Sequence, residues 1–171
     1  AGEVADGVHL HPIADRGYIE RHAIPTIAEG ARRAGRDPAG VDMIKPLMTI
    51  VGDTDEEIAD GRDRARASVA FYASTPNYAF VLDEAGFEGT TSRIREKQKA
   101  GELAAMTAEI TDEHLATFCV ESSWDGLAAA LIDEYGATAS RLVLYNAGSD
   151  TPDRFDRYGD VARTVSNRTS S

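Results

Sequence analysis

Residues 43–51 read Met-Ile-Lys-Pro-Leu-Met-Thr-Ile-Val, an apolar run with almost no alternation. A strand of that kind is covered on both faces, which is the condition of strands in a parallel sheet flanked by helices. Its surroundings agree. Upstream, Val8-His9-Leu10-His11 alternates and stops at Pro12, which predicts a strand with Val8 and Leu10 on one face. Between the two strands, Ile19, Ala23, Ile27 and Ala31 share one helical face. Pro25 predicts a kink or restart in that helix, Gly35 a C-terminal cap, and Asp37-Pro38 the exit turn. Lys45 and Pro46 are read as lying near the strand's beginning, where a missing backbone donor costs least.

Downstream, Thr54 and Glu57 have capping-box spacing and open a helix with Ile58, Ala65, Val69 and Tyr72 inward. Ser74-Thr75-Pro76 ends it. Short helices are expected near residues 77–85 and 92–100, and one or two across 102–118. Ser122 or Ser123 caps another, with Leu127, Leu131 and Tyr135 on one face, and residues 141–145 form a third strand. Beyond Ala147 polar residues dominate, with Phe155, Tyr158, Val161 and Val165 as the only anchors; the expectation is a fraying tail with one short helix. Strands separated by helices run parallel. The fold class is therefore α/β, with three parallel strands and many helices. Three strands do not close a barrel, which needs eight. The outer strands leave open edges for a second copy or another segment to cover.

The net charge of −11 disfavours nucleic acid and anionic membrane surfaces, whose binding rests on Lys and Arg. No apolar run approaches the ~18 residues of a membrane span. The single cysteine, Cys119, forbids an intrachain disulfide and suits a reducing, cytoplasmic compartment. It reads as a buried structural thiol. The chain does not begin with Met, so it is read as trimmed or internal.

Candidate chemistry is sparse. No dinucleotide fingerprint, P-loop or nucleophile elbow occurs. His9 and His11 share a strand face, half of a metal site at most, and no metal is expected. His11 also stands at a strand's carboxyl end, where parallel α/β folds bind ligands. His22 and His114 read as surface residues, and Trp124 as a packing residue. Tyr72, Tyr78 and Phe80 cluster around Ser74-Thr75-Pro76, as local core or a pocket wall. Arg93, Arg95, Lys97 and Lys99 form a basic stretch, either a solvated face or a hold for an anionic group.

Several segments together resemble a known family. Ala1-Gly2-Glu3-Val4-Ala5-Asp6-Gly7-Val8 is similar to the A-G-x-x-A-D-G segment of luciferase-like oxidoreductases, which use FMN or the deazaflavin coenzyme F-420. In order follow Ile24-Pro25-Thr26-Ile27-Ala28-Glu29-Gly30, Ala34-Gly35-Arg36-Asp37-Pro38, and Val51-Gly52-Asp53-Thr54-Asp55-Glu56-Glu57. Phe71-Tyr72-Ala73-Ser74-Thr75-Pro76-Asn77-Tyr78 resembles the F-Y-x-S-T-P-x-Y signature of a subgroup described as deazaflavin-dependent. The likeness covers residues 1–145. One departure is Glu121-Ser122-Ser123-Trp124-Asp125-Gly126, where relatives carry V-G-T-P-x-E.

The resemblance implies a (β/α)8 barrel in a chain about twice as long, with this chain its C-terminal part. Residues 1–147 would supply the sixth to eighth strands plus a helical insertion, and 148–171 a polar, partly disordered tail. It implies cofactor contacts at His11, Thr49, Gly52 and Asn146, and a substrate pocket at Tyr72, Thr75 and Tyr78. Catalytic residues stay unassigned. Partners implied are a small-molecule substrate and either a second copy or a missing N-terminal half. Two functions stay open: part of a flavin- or deazaflavin-dependent oxidoreductase, inactive alone, or a non-catalytic α/β module that self-associates.

Overall fold

The computed structural model describes residues 1–145 and 151–169. The central element is β2 (Asp42–Val51), the run singled out above, and every other strand pairs with it in parallel. β1 (Gly7–His9) lies along its first half, β3 (Cys119–Ser122) along its last four residues, and β4 (Arg141–Leu144) along its middle. Backbone direction fixes the edges. The Asp42 N–H reaches Asp6, the Ile44 carbonyl accepts from Leu10, and the Gly52 N–H reaches Ser122. The carbonyls of Met43 and Leu47 accept from Ser140 and Tyr145. Groups of even-numbered residues thus face β1 and β3, which share one edge, and groups of odd-numbered residues face β4.

That arrangement corrects the reading of Pro46. It stands in mid-strand, not near the beginning. Its missing N–H would point to the edge between the end of β1, paired at Ile44, and the start of β3, paired at Met48. No ladder bond is lost there. The strand count is corrected as well: four among the described residues, not three. β3 escapes a sequence reading because it follows α7 (Asp112–Phe118) with no turn residue between Phe118 and Cys119.

The helices follow the apolar patterns closely. The first begins as α1 (Arg16–Tyr18), capped by the Asp15 carboxylate, and passes through a π turn at Ile19–Ala23 into α2 (Ile24–Arg33). The Ile24 N–H reaches back five residues to Ile19, and Pro25 sits in the first turn after this shift. This is the predicted restart. Gly35 takes φ 69° beyond the helix end, a conformation a Cβ would strain. α3 (Asp55–Ala73) opens with the predicted box: Glu57 N–H donates to Thr54 Oγ1 at 3.2 Å and Thr54 N–H to Glu57 Oε2 at 3.3 Å. α4 (Ala79–Glu84), α5 (Thr90–Ala100) and α6 (Leu103–Ala108) lead to α7, and Ser123 caps α8 (Trp124–Tyr135).

The tail differs from expectation. α9 (Pro152–Thr169) is 18 residues long and buries Tyr158 and Val161 against α8 and β2. Its anchors at 158, 161 and 165 have helical spacing, though the polar majority masks it. His114 is also corrected: it is buried, not at the surface. Its Nδ1 accepts the Thr111 N–H at 3.2 Å, and Phe87 stacks on it at 3.9 Å.

The core has two halves, one on each side of the sheet. Leu47 and Val51 join α8, α9 and Ile19 on one side, while Met48 and Ile50 join α3, α4, α5 and α7 on the other. The N-terminal segment closes the first helix. Arg36 donates to the Gly2 carbonyl at 2.9 Å, and Arg33 pairs with Glu3. A Cβ on Gly2 would stand 2.0 Å from the Ile27 carbonyl oxygen, so only glycine lets the segment lie on α2. Gly2→Ala is expected to cost about 1–3 kcal/mol through overpacking, read as a lower urea midpoint at unchanged slope.

Candidate functional site

Three residues of the resemblance meet at the carboxyl end of β1. His11 follows the strand and turns its ring onto Tyr78 at 4.2 Å and Tyr72 at 4.8 Å, the latter edge-on. The Ile13 N–H points to His11 Nδ1 at 3.4 Å, which assigns the ring proton to Nε2. Burial first, and the charge of Lys45 second, push the His11 pKa down, so the ring is neutral and presents an N–H donor. His9, by contrast, is exposed within β1. Among the described residues no group of three or more His, Cys, Asp or Glu side chains is placed to hold a metal ion.

The loop carrying His11 is held from below. Lys45 is buried, and its Nζ donates to the carbonyls of Pro12 at 2.7 Å and His11 at 3.3 Å. Desolvation pulls its pKa down to about 7, opposed by Asp15. The Tyr135 ring lies 5.3 Å from the ammonium. Nothing in the sequence marks Lys45 for this role, because lysine is ordinarily a surface residue.

Tyr72 links this cluster to a second one. Its hydroxyl lies 2.6 Å from that of Tyr145, and its pKa rises to about 12 through burial and then this hydrogen bond. Tyr145 borders a cleft of about 330 Å³ that also contains Thr49, whose hydroxyl lies 2.9 Å from that of Tyr158 on α9. On the other side, His11 and Tyr78 border a cleft of about 380 Å³ with Tyr18, Phe80 and Val81. The expected residues therefore divide. His11 meets both Tyr72 and Tyr78, and Thr49 shares a cleft with Tyr145, the partner of Tyr72. Thr75 accepts the Tyr78 N–H and donates to the Tyr72 carbonyl, so it braces the two rings through its backbone. Gly52 sits apart, at the turn from β2 into α3, where a Cβ would come 2.5 Å from that of Glu57. Asn146 lies outside the described residues.

Three residues of the basic stretch are engaged within the protein. Arg93 pairs with Glu109, Arg95 donates to the Ser74 carbonyl, and Lys97 pairs with Glu102. Cys119 is buried, as expected, and burial raises its thiol to about 12. Trp124 packs against Tyr158, also as expected. Glu121, the departing residue, is held by Arg62 through two bonds of 2.6 and 2.7 Å. No helix among the described residues is long and apolar enough to cross a membrane.

Comparison with known proteins agrees with the motif order. An uncharacterized protein of Mycobacterium bovis and one of Mycobacterium tuberculosis are each 33% identical over 142 residues, 83% of this chain and 42% of theirs. The coenzyme F-420-dependent tetrahydromethanopterin reductase of Methanopyrus kandleri shares the fold, with a TM-score of 0.72 at 20% identity over 99% of this chain and 47% of the reductase. The chain thus spans less than half the length of these relatives. The luciferase-like monooxygenase family matches residues 1–141, and the chain belongs to that family.

Proposed function

We propose that this chain forms the C-terminal wall of the pocket of an oxidoreductase that uses deazaflavin coenzyme F-420 or FMN. The observation that carries the reading is the His11 ring, seated on Tyr72 and Tyr78 at the end of β1. A flat tricyclic ring needs an apolar, aromatic wall and a few fixed donors. The cleft of about 380 Å³ offers Tyr18, Tyr78 and Phe80 as wall and His11 Nε2 as donor, which fits the ring on one side. The volume lies at the low end for ligand pockets, about 300–1,000 Å³, which suits one wall of a larger pocket. Bound cofactor would supply hydride-transfer chemistry. His11 would hold a hydrogen bond to its polar edge, and the Tyr72–Tyr145 pair would orient a small-molecule substrate. A reducing cytoplasm suits the lone thiol.

The rest of the pocket comes from a partner, either an N-terminal half or a second copy. Among the described residues the outer edge of β4 pairs with no strand, and Val143 within it and Tyr145 just after it are 39% and 37% exposed. An open parallel edge is seldom left uncovered. The same edge supports the alternative of a non-catalytic module that self-associates. Fluorescence titration with FMN and with the deazaflavin, beside sedimentation at the same concentration, separates the readings. The 171-residue chain is expected to bind at least about 100-fold more weakly than a protein of the full family length. Tight stoichiometric binding by a monomer would refute the single-wall reading, and a full-length protein that binds neither cofactor would refute the oxidoreductase.

A further inference from the structure

We propose that Lys45 is the positioning residue of the His11 site, and that the proton on its amine sets where the His11 ring stands. The functional weight of Lys45 rests on the proposed reading of His11 as a donor to a bound ring. Its mechanism rests on the geometry under the loop. Lys45 is the largest fully buried side chain among the described residues. Its Nζ reaches only the loop that carries His11, donating to the Pro12 carbonyl at 2.7 Å and to the His11 carbonyl at 3.3 Å.

The two bonds are unequal. The His11 carbonyl also accepts the Ala14 N–H at 3.0 Å, so it stays satisfied when Lys45 lets go. The Pro12 carbonyl holds the shorter bond. An ammonium brings three hydrogens and a full charge, whereas an amine brings two hydrogens and a lone pair. The Tyr135 ring lies 5.3 Å from Nζ, and its face attracts a cation and repels a lone pair. Charge-assisted bonds are about twice as strong as neutral ones. Loss of the proton therefore weakens both ties, and the long one to His11 is given up. The His11 ring, 4.2 Å from Tyr78 and 4.8 Å from Tyr72, rides on that backbone.

The surroundings leave Lys45 as the group that changes charge near neutral pH. Asp15, at the start of α1, favours the ammonium, while its carboxylate also caps α1 and accepts the Gly17 N–H at 2.9 Å. Cys119 on β3 is pushed up to about 12 and Tyr135 on α8 is pushed up as well, both chiefly by burial, so both stay neutral. Glu134 and Arg16 act on Tyr135 with opposite signs. His11 itself titrates below its ordinary 6.5. Lys45, brought down to about 7, changes charge above it. The ring is thus seated just below pH 7 and loosens above it.

Nuclear magnetic resonance reads this without a ligand, on the chain labelled at lysine Cε and at the imidazole nitrogens. Lys45, told from Lys97 and Lys99 by sequential assignment, is expected to titrate with a midpoint of about 7. The His11 ring should show two inflections, its own below 6.5 and a second at the midpoint of Lys45. Its cross-peaks with Tyr78 should weaken over that second step. His114, buried against Phe87, should not follow Lys45. Lys45→Met should abolish the second inflection and raise the first, because the lysine's charge lowers it. A Lys45 that keeps its proton beyond pH 9 overturns the proposal. So does one that titrates at about 7 while the His11 signals and cross-peaks stand still, as a lysine held only for packing would. A second inflection that survives in K45M overturns it too. If K45M does not fold, the two midpoints in the wild type decide alone. A protein of family length that binds neither cofactor refutes the oxidoreductase and leaves this coupling readable.

Discussion

Lys45→Met is expected to stabilise the protein at pH 6 and to lose most of that advantage by pH 9. The sign follows from the lysine's surroundings. Burial brings its folded pKa to about 7, against an ordinary value of 10.5. Below pH 7 the amine is charged in both states, and the folded protein bears the cost of a buried charge. That cost is about 5 kcal/mol at about 1.4 kcal/mol per pKa unit. Between pH 7 and 10.5 the unfolded chain holds the proton and the folded one does not, so stability rises with pH. Cys119 acts in the opposite direction above about pH 9. Its folded thiol, near 12, keeps a proton that the unfolded chain loses. The wild-type rise should therefore run from pH 7 to 9 and then flatten. Methionine removes the charge but leaves the carbonyls of His11 and Pro12 without a donor, at about 1–3 kcal/mol. The net expectation is a gain of about 2–4 kcal/mol at pH 6, falling to within about 1 kcal/mol of zero at pH 9, where deprotonating the folded lysine still costs about 2 kcal/mol. Urea melts of both proteins at the two pH values read it directly. A difference equal at both would show that the lysine is solvated or fully compensated.

Lys45 also marks where sequence reading ends. The elements with strong local signals were legible: the unalternating β2, the Thr54–Glu57 box, the positive-φ Gly35, the Ser123 cap. Each is decided by neighbours in sequence. His11 at a strand end was legible for the same reason, since a strand followed by Pro12 announces its own end. What escaped depends on distant partners. Tyr145 reaches Tyr72 across 73 residues, and Thr49 reaches Tyr158 across 109. Pro46 is harmless because two strands share an edge and leave a gap at its level, which no local pattern encodes. His114 looked like a surface residue until Phe87 and Thr90 closed over it. The clearest signal passed over is Thr111, three residues before it, the spacing of a cap. α9 shows the converse failure: its spacing was present, and its polar composition outweighed it.

The residue on which α9 depends is Trp124, and its replacement by alanine is expected to cost about 3–5 kcal/mol. The indole is 4% exposed at the start of α8. One face of α9 closes on it: Arg154 and Arg157 lie 5.0 and 4.5 Å from the ring, and Tyr158 meets it edge-on at 4.8 Å. Those positions are i, i+3 and i+4, a single helical face. Asp53 ties the arrangement together, accepting the Trp124 N–H at 3.3 Å and the Arg157 guanidinium at 2.7 Å. Alanine would leave both cations without a π face and the helix without its anchor, so amide exchange in α9 should rise towards that of an unfolded segment. Phenylalanine separates anchoring from polarity. Nε1 of Trp124 is buried without a partner among the described residues, a cost of about 1–3 kcal/mol that Trp124→Phe removes. That variant should lose less than about 1.5 kcal/mol and keep α9 protected. Equal losses for the two variants, or full protection of α9 in the alanine form, would show that the helix is held elsewhere.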